Sequence, residues 1–314
     1  MYKETLILSI IYYPAVLTVV MFLFGICFGS FLNVCILRTP LGQSISKEPS
    51  HCMSCGKRLH WYELIPLFSW LFLRGKCHGC KAKISGQYPF VEGITGLFFT
   101  FALWFYLGNP AYAAKAQFGL EGLIINLEHN LWTLDTMNLI DMVLVCGLFC
   151  ALLVLTFIDA RTHEIPDGIN IFIAVLGLIR GVLMGINAYK STGSFNKDLL
   201  DVILGPICVA GALLLILIIS KGGAIGGGDV KLMAAVGLFL GNKATILALV
   251  LGCIAGAVIH IILMKVKHLG RELAMGPYLS LGIIVSVFWG TPILTWYLGM
   301  FTFEDKLPAF ISLL

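Results

Sequence analysis

The chain reads as an all-α polytopic membrane protein with about eight transmembrane helices and one cytoplasmic zinc-ribbon-like loop. Three observations predict this class. Of 314 residues, 59% are hydrophobic and 12% are charged, whereas a soluble domain carries about 25% charged residues. Apolar stretches recur at lengths that suit a bilayer, the first running from Leu6 to about Val34. One aspartate, Asp229, closes the run Gly222-Gly223-Ala224-Ile225-Gly226-Gly227-Gly228-Asp229 between the apolar stretches 199–219 and 232–240. An ionisable group there is costly, by roughly 3 kcal/mol or more at a helix centre, and marks a functional site by default.

Taken in order, the first stretch is too long for the apolar core of a signal peptide and lacks a small-residue cleavage site, so a retained membrane helix is expected. Hydropathy places the spans near 6–34, 89–107, 137–158, 168–186, 198–220, 230–241, 244–264 and 275–298. The sixth is short and follows the glycine run, which makes it a candidate half-helix. The expected organisation is a first membrane helix over 1–37, a cytoplasmic loop over 38–88 and a transmembrane core over 89–314.

Charge orients the spans. Arg38, Lys47, Lys57, Arg58, Arg74, Lys76, Lys81 and Lys83 lie between the first two, opposed by Glu48 and Glu63. Positive loops stay inside, so this loop is assigned to the cytoplasm. The next long loop carries Lys115 against Glu121, Glu128 and Asp135, which suits the outside, and Lys265, Lys267 and Arg271 mark another inner loop. The segments 159–167 and 221–229 then both face the cytoplasm. Membrane lipid is an expected partner and nucleic acid is not.

The 38–88 loop is too short to build a large core and needs a staple. Cys52-Met53-Ser54-Cys55 and Cys77-His78-Gly79-Cys80 supply one. Two C-x-x-C pairs about twenty residues apart have zinc-ribbon spacing, in which each pair forms a knuckle and four thiolates close a tetrahedral site. A cytoplasmic position disfavours disulfides, and four thiolates leave no open position, so the zinc is structural. His51, His60 and His78 are spare. Cys27, Cys35, Cys146, Cys150, Cys208 and Cys253 fall in or beside apolar spans and read as small core hydrophobes.

The third span ends at Ile158-Asp159, followed by Ala160-Arg161-Thr162-His163-Glu164-Ile165-Pro166-Asp167. Asp159 therefore ends one membrane helix where Asp229 starts another, at one depth. Two carboxylates a few ångströms apart cannot both ionise, so they share a proton and titrate in separated steps. Aspartic proteases use this arrangement: one carboxylate takes a proton from water while the other polarises the scissile carbonyl. The glycines before Asp229 remove Cβ, break the helix and let another backbone approach, which a membrane protein tolerates only in buried or wet places. Asp167 serves as an N-cap of the fourth span or as a further acid. Lys231 either offsets the local charge or faces lipid headgroups.

With these residues in place, the chain resembles the prepilin peptidases, the type IV leader peptidase family of Gly-x-Gly-Asp membrane aspartic proteases. Gly226-Gly227-Gly228-Asp229-Val230-Lys231-Leu232 is similar to the second catalytic motif, and Ile158-Asp159 with Ile165-Pro166-Asp167 to the first. Phe28-Gly29-Ser30-Phe31-Leu32-Asn33-Val34 with Arg38 resembles the N-terminal signature. Ile65-Pro66-Leu67-Phe68-Ser69-Trp70-Leu71 with Arg74-Gly75-Lys76-Cys77 resembles the loop, Ser85-Gly86-Gln87-Tyr88-Pro89-Phe90-Val91-Glu92 the second span, and Met275-Gly276-Pro277-Tyr278-Leu279-Ser280-Leu281-Gly282 the last block. The resemblance implies an enzyme of the bacterial inner membrane with Asp159 and Asp229 catalytic. Its substrates would be type IV prepilins or type II secretion pseudopilins, cut after a glycine at the cytoplasmic face. It also implies S-adenosylmethionine-dependent N-methylation of the new terminus, a tie of the cysteine loop to metal and methyl transfer, and pilus or secretion components as partners. Glu48, Glu63 and Glu92 would face the basic leader. Loops 108–136 and 187–197 are longer than the family suggests. Two other readings remain open at this point: a proton-coupled transporter built on the aspartate pair, and a scaffold of a pilus or secretion assembly.

Overall fold

Apolar helix formers run almost unbroken from Tyr2 to Arg38 and form one helix, α1. The computed structural model describes residues 2–47, 49–108, 123–125, 132–134, 136–192, 202, 204–223, 225–267 and 274–300. After α1 come a one-turn helix α2 (Phe68–Phe72), α3 (Gln87–Gly108), the strand pair β1 (Leu123–Ile125) and β2 (Trp132–Leu134), α4 (Thr136–Thr162) and α5 (Asp167–Thr192). A π-helical turn, Pro206–Ala210, then leads into α6 (Gly211–Ile219), followed by α7 (Gly227–Leu240), α8 (Asn242–Lys267) and α9 (Gly276–Gly299). The strands pair antiparallel with Ile124 opposite Thr133. Loop 108–136 otherwise lies outside the described residues, as does 193–197, while 187–192 continue α5.

Among the described residues, six helices are long and apolar enough to cross a membrane: Ala15–Leu41, Gln87–Leu107, Met137–Thr162, Asp167–Ile186, Asn242–Lys265 and Gly276–Gly299. The chain is a multi-pass membrane protein. The two other expected spans are shorter among the described residues. The fifth is represented by Pro206–Ile219. The sixth is α7, with 14 residues, or about 21 Å at about 1.5 Å per residue, short of a hydrocarbon core of about 30 Å. The glycine run is the reason: helix begins only at Gly227.

Contacts divide the chain into two units, Met1–Ile158 and Asp159–Leu314. In the first, α1 and α3 meet through glycine. A Cβ on Gly25 would lie 2.7 Å from Gly96 Cα, and one on Gly29 would lie 2.6 Å from Glu92 Cα. Small residues let membrane helices approach this closely, since lipid supplies no hydrophobic drive to bring them together. Asn33 Nδ2 donates to the Gly29 carbonyl at 3.3 Å and to the Tyr88 carbonyl at 3.1 Å. Gly29→Ala should therefore cost about 1–3 kcal/mol, as overpacking does. The check is thermal unfolding in detergent, and an unchanged midpoint would contradict the contact.

The N-terminal signature thus acts as a helix seam. Glu92 completes it: its Oε2 accepts the Leu67 N–H at 2.7 Å and its carboxylate the Ser30 hydroxyl. Leu67 has φ 61, a left-handed conformation costly for a leucine. The hydrogen bond from its N–H to Glu92 holds that turn.

In the second unit, α7 lies along α5 and the π-turn. A Cβ on Gly177 of α5 would sit 2.7 Å from Phe239 N, and one on Gly237 would sit 2.5 Å from Pro206 N. This packing holds the helix whose first turn carries Asp229.

Candidate active site and metal centre

Asp159 lies in the last turn of α4 and is buried, 5% exposed. The chain turns back at His163, whose N–H donates to the Asp159 carbonyl at 2.9 Å and whose φ is 53. The Asp159 side chain has one fixed donor: the Gly276 N–H reaches Oδ2 at 2.8 Å. Gly276 opens α9, with proline in the first turn, so Asp159 sits at a helix N-terminus with its unpaired N–H groups and positive dipole end. The Gly276-Pro277 pair is a helix-start signal in its own right, and through it the last block gains a role that the two aspartate motifs do not show.

Asp229 lies in the first turn of α7, outside the six candidate spans. The Gly226 N–H donates to its carboxylate. Burial first, and the Asp159 charge second, push the Asp229 carboxyl up to about 6. The two aspartates therefore act on each other, which the spacing alone left open. It follows that Asp159→Asn should lower the titration point of Asp229, because a raising charge is removed while burial stays. Carboxyl-labelled aspartate followed by NMR across pH checks this, and an unmoved Asp229 would show that the two do not interact.

The glycine run breaks the helix as expected, between Ile219 and Gly227, but its last two glycines lie past the break. Gly227 and Gly228 are the first helical residues of α7. A Cβ on Gly228 would lie 3.0 Å from Ile165 Cβ, whereas one on Gly227 would meet nothing within 4 Å. Gly228 is thus small so that the Gly-x-Gly-Asp turn can lie against the Ile165-Pro166-Asp167 turn. Gly228→Ala should lower the unfolding midpoint, while Gly227→Ala should leave it unchanged or raise it slightly, since alanine restricts the unfolded chain. Equal losses for both would contradict the contact.

Asp167 opens α5, and its Oδ1 accepts from Lys231 Nζ at 2.7 Å. Both side chains are more than half exposed, so the pair contributes only about 0–1 kcal/mol. Lys231 has a protein partner and is not a headgroup contact alone. A cavity of about 360 Å³ opens beside these turns, lined by His163, Glu164, Ile165, Asp167, Gly226, Gly227, Gly228, Asp229 and Lys231. Its size is within the range of ligand sites, and Asp229 lies on its wall while Asp159 does not line it.

In the first unit, the sulfurs of Cys52, Cys55, Cys77 and Cys80 all lie within 4.8 Å of one another, with Cys52 and Cys80 at 3.9 Å. Tetrahedral zinc with bonds of about 2.3 Å places sulfurs about 3.8 Å apart. The two pairs adopt one backbone design. Cys52 N–H donates to Lys57 O at 2.9 Å and Gly56 N–H to Cys52 O at 2.8 Å; Cys77 N–H donates to Ala82 O at 2.9 Å and Lys81 N–H to Cys77 O at 3.0 Å. Gly56 and Lys81 hold equivalent left-handed positions, φ 68 and 58. Backbone N–H groups of Ser54, then Cys55, hold the Cys52 thiol down to about 6. Cys80 is driven up to about 11: the Ala82 N–H lowers it, but burial and the three neighbouring thiols outweigh that bond. Four sulfurs this close need a cation before all can ionise. The donor set fits a metal ion, and it is the one such cluster among the described residues.

Two of the three glutamates expected to face a leader are engaged elsewhere. Glu63 is buried, with its Oε2 accepting the His60 N–H at 2.8 Å to cap a short helix, and Glu92 holds Leu67 and Ser30. Glu48 lies outside the described residues.

The description "Bacterial Peptidase A24 N-terminal domain" matches residues 23–106, and "Type IV leader peptidase family" matches residues 146–261. Among similar proteins, a "Prepilin leader peptidase/N-methyltransferase" of Aeromonas hydrophila is 31% identical over 89% of this chain and 93% of its own length. One of the same name from Pseudomonas aeruginosa is 26% identical over 93% of this chain and 97% of its own. The Myxococcus xanthus relative of that name is 31% identical over 81% of this chain, which spans 65% of the relative's length. No solved structure matches the chain.

Proposed function

The chain belongs to the type IV leader peptidase family, and from that membership we propose that it is a prepilin peptidase whose Asp159–Asp229 pair cleaves the leader of type IV prepilins or type II secretion pseudopilins. The observation that supports this reading is that both motif aspartates sit at helix ends of one unit, each with its own backbone N–H donor, with the Asp159 charge helping to raise the Asp229 carboxyl. The pair shares one proton. Asp159, oriented by Gly276, takes a proton from water; Asp229, whose carboxyl is raised to about 6, is the member that takes up the shared proton and polarises the scissile carbonyl. The cavity on the Asp229 side admits an extended backbone. The dyad lies at the cytoplasmic face of the bacterial inner membrane, where a basic leader meets an apolar helix, and the cut follows a glycine.

The four cysteines hold structural zinc. The second activity is N-methylation of the new terminus with S-adenosylmethionine, supported by the names of the relatives. The transporter and scaffold readings leave the ordered match to a peptidase family unexplained. The test is incubation of purified protein with a prepilin in detergent, with the product terminus read by mass spectrometry. The expected result is one cut after a glycine, and a gain of one methyl group when S-adenosylmethionine is added. An intact prepilin would overturn the peptidase reading, and an unmethylated cleaved product would overturn the second activity.

A further inference from the structure

Arg180 is a cation within α5, whose Asp167–Ile186 stretch is long and apolar enough to cross a membrane. It stands 13 residues beyond Asp167, about 20 Å along the helix. A charge at such depth is costly and is kept where it has a partner and a task. Its partner is specific. Nη1 donates to the Phe239 carbonyl at 2.8 Å, and the guanidinium carbon lies 4.8 Å from the centre of the Phe239 ring.

Phe239 is the penultimate residue of α7. Its carbonyl is one of the last four, which have no partner within a helix. The chain leaves α7 at Gly241, φ 78, whose N–H turns back to the Gly237 carbonyl at 3.0 Å. α7 is too short to carry its C-terminal end through the bilayer, so that end has little water to satisfy it. A cation there answers both the orphaned carbonyl and the negative end of the helix dipole. Gly177, one turn before Arg180, makes room for the contact, because a Cβ there would lie 2.7 Å from Phe239 N.

The other end of α7 is held differently. Lys231 pairs with Asp167, but both side chains are largely exposed, so this pair has little energetic weight. α7 is therefore a strut with Asp229 in its first turn and its firm electrostatic tether in its last. We propose that Arg180 is a positioning residue: by clamping the C-terminal carbonyl of α7 it sets the depth and rotation at which Asp229 meets Asp159. This rests on the reading of the two aspartates as the catalytic pair.

The test compares R180M and R180K with the parent in the full-length protein. A shift of about 1 Å in a catalytic group costs on the order of a hundredfold in rate, so kcat for prepilin cleavage in R180M should fall by about tenfold or more, with KM within about twofold. Its rate–pH profile should move to lower pH, because Asp229 then feels less of the Asp159 charge. R180K, which keeps a charged donor, should recover part of the rate. A parent-like kcat in R180M overturns the proposal. So does a rate that falls only in proportion to folded protein with an unmoved pH profile. Should R180M not fold, R180Q, an uncharged donor, is judged by the same criteria. If the parent itself does not cleave prepilin, the peptidase reading fails instead. The Asp229 titration, followed by NMR, then decides the positioning role: a lower value in R180M supports it, and an unchanged value overturns it.

Discussion

Asp229→Asn is expected to lower prepilin cleavage by about a thousandfold or more, the order seen when one member of a catalytic unit is removed, while the protein stays folded. Asparagine matches aspartate in shape but can neither hold nor pass the shared proton. Its effect on stability should have the opposite sign to its effect on rate. The Asp229 carboxyl is raised from 3.8 to about 6 by burial and by Asp159, so its charged form weighs against the folded state. That penalty is absent below the ordinary value of 3.8 and complete above about 6. Asp229→Asn should therefore match the parent at pH 3.5 and unfold at a higher temperature at pH 7, with the gap opening between about 4 and 6. Asp159→Asn should lose a similar amount of rate without unfolding, because the amide oxygen still accepts the Gly276 N–H. Cleavage at the parent rate by either variant would end the two-carboxylate mechanism.

Cys77→Ser is expected to empty the metal site and open the cysteine loop. Cys77 is 3% exposed, and its sulfur lies within 4.8 Å of the other three. Structural zinc contributes about 10 kcal/mol or more in zinc-finger peptides at neutral pH, far more than the few hydrogen bonds of the two knuckles supply. Loss of one thiolate should take bound zinc from one per chain to near none. Hydrogen exchange should then quicken at the Cys52, Gly56, Cys77 and Lys81 amides, the four that close the knuckles. A strong chelator added to the parent should produce the same pattern. One zinc per chain in Cys77→Ser would show that the metal is held elsewhere.

Much of this site was legible in one dimension. The C-x-x-C pairs are local, so their spacing alone predicts two knuckles, and the structure brings all four sulfurs together. The aspartates were legible because a charge in an apolar stretch is costly and is not kept without a task. Other features were not. The glycines before Asp229 read as a helix break and the chain does break there, but nothing in the sequence shows that Gly228 is small because of Ile165, far away in sequence. Glu63, in the basic loop, and Glu92, at the start of the second span, look like free acids, yet each is buried on a backbone N–H. Gly276 offers only a main-chain donor, which no side-chain pattern reveals, and Arg180 reads as a stray cation until the carbonyl it caps is found.

The sequence by itself determined the solvent of this protein, the approximate helices, the four clustered cysteines and the two candidate acids, because hydropathy, charge and ligand spacing act over short stretches of chain. The tertiary structure decided which groups meet: that Gly276 orients Asp159, that the turn before Asp229 lies against Ile165, and that α7 is too short to cross and is tethered by Arg180. The reason is that partnership in a helical membrane protein is set by rotation and depth of each helix, and those depend on packing between residues far apart in sequence.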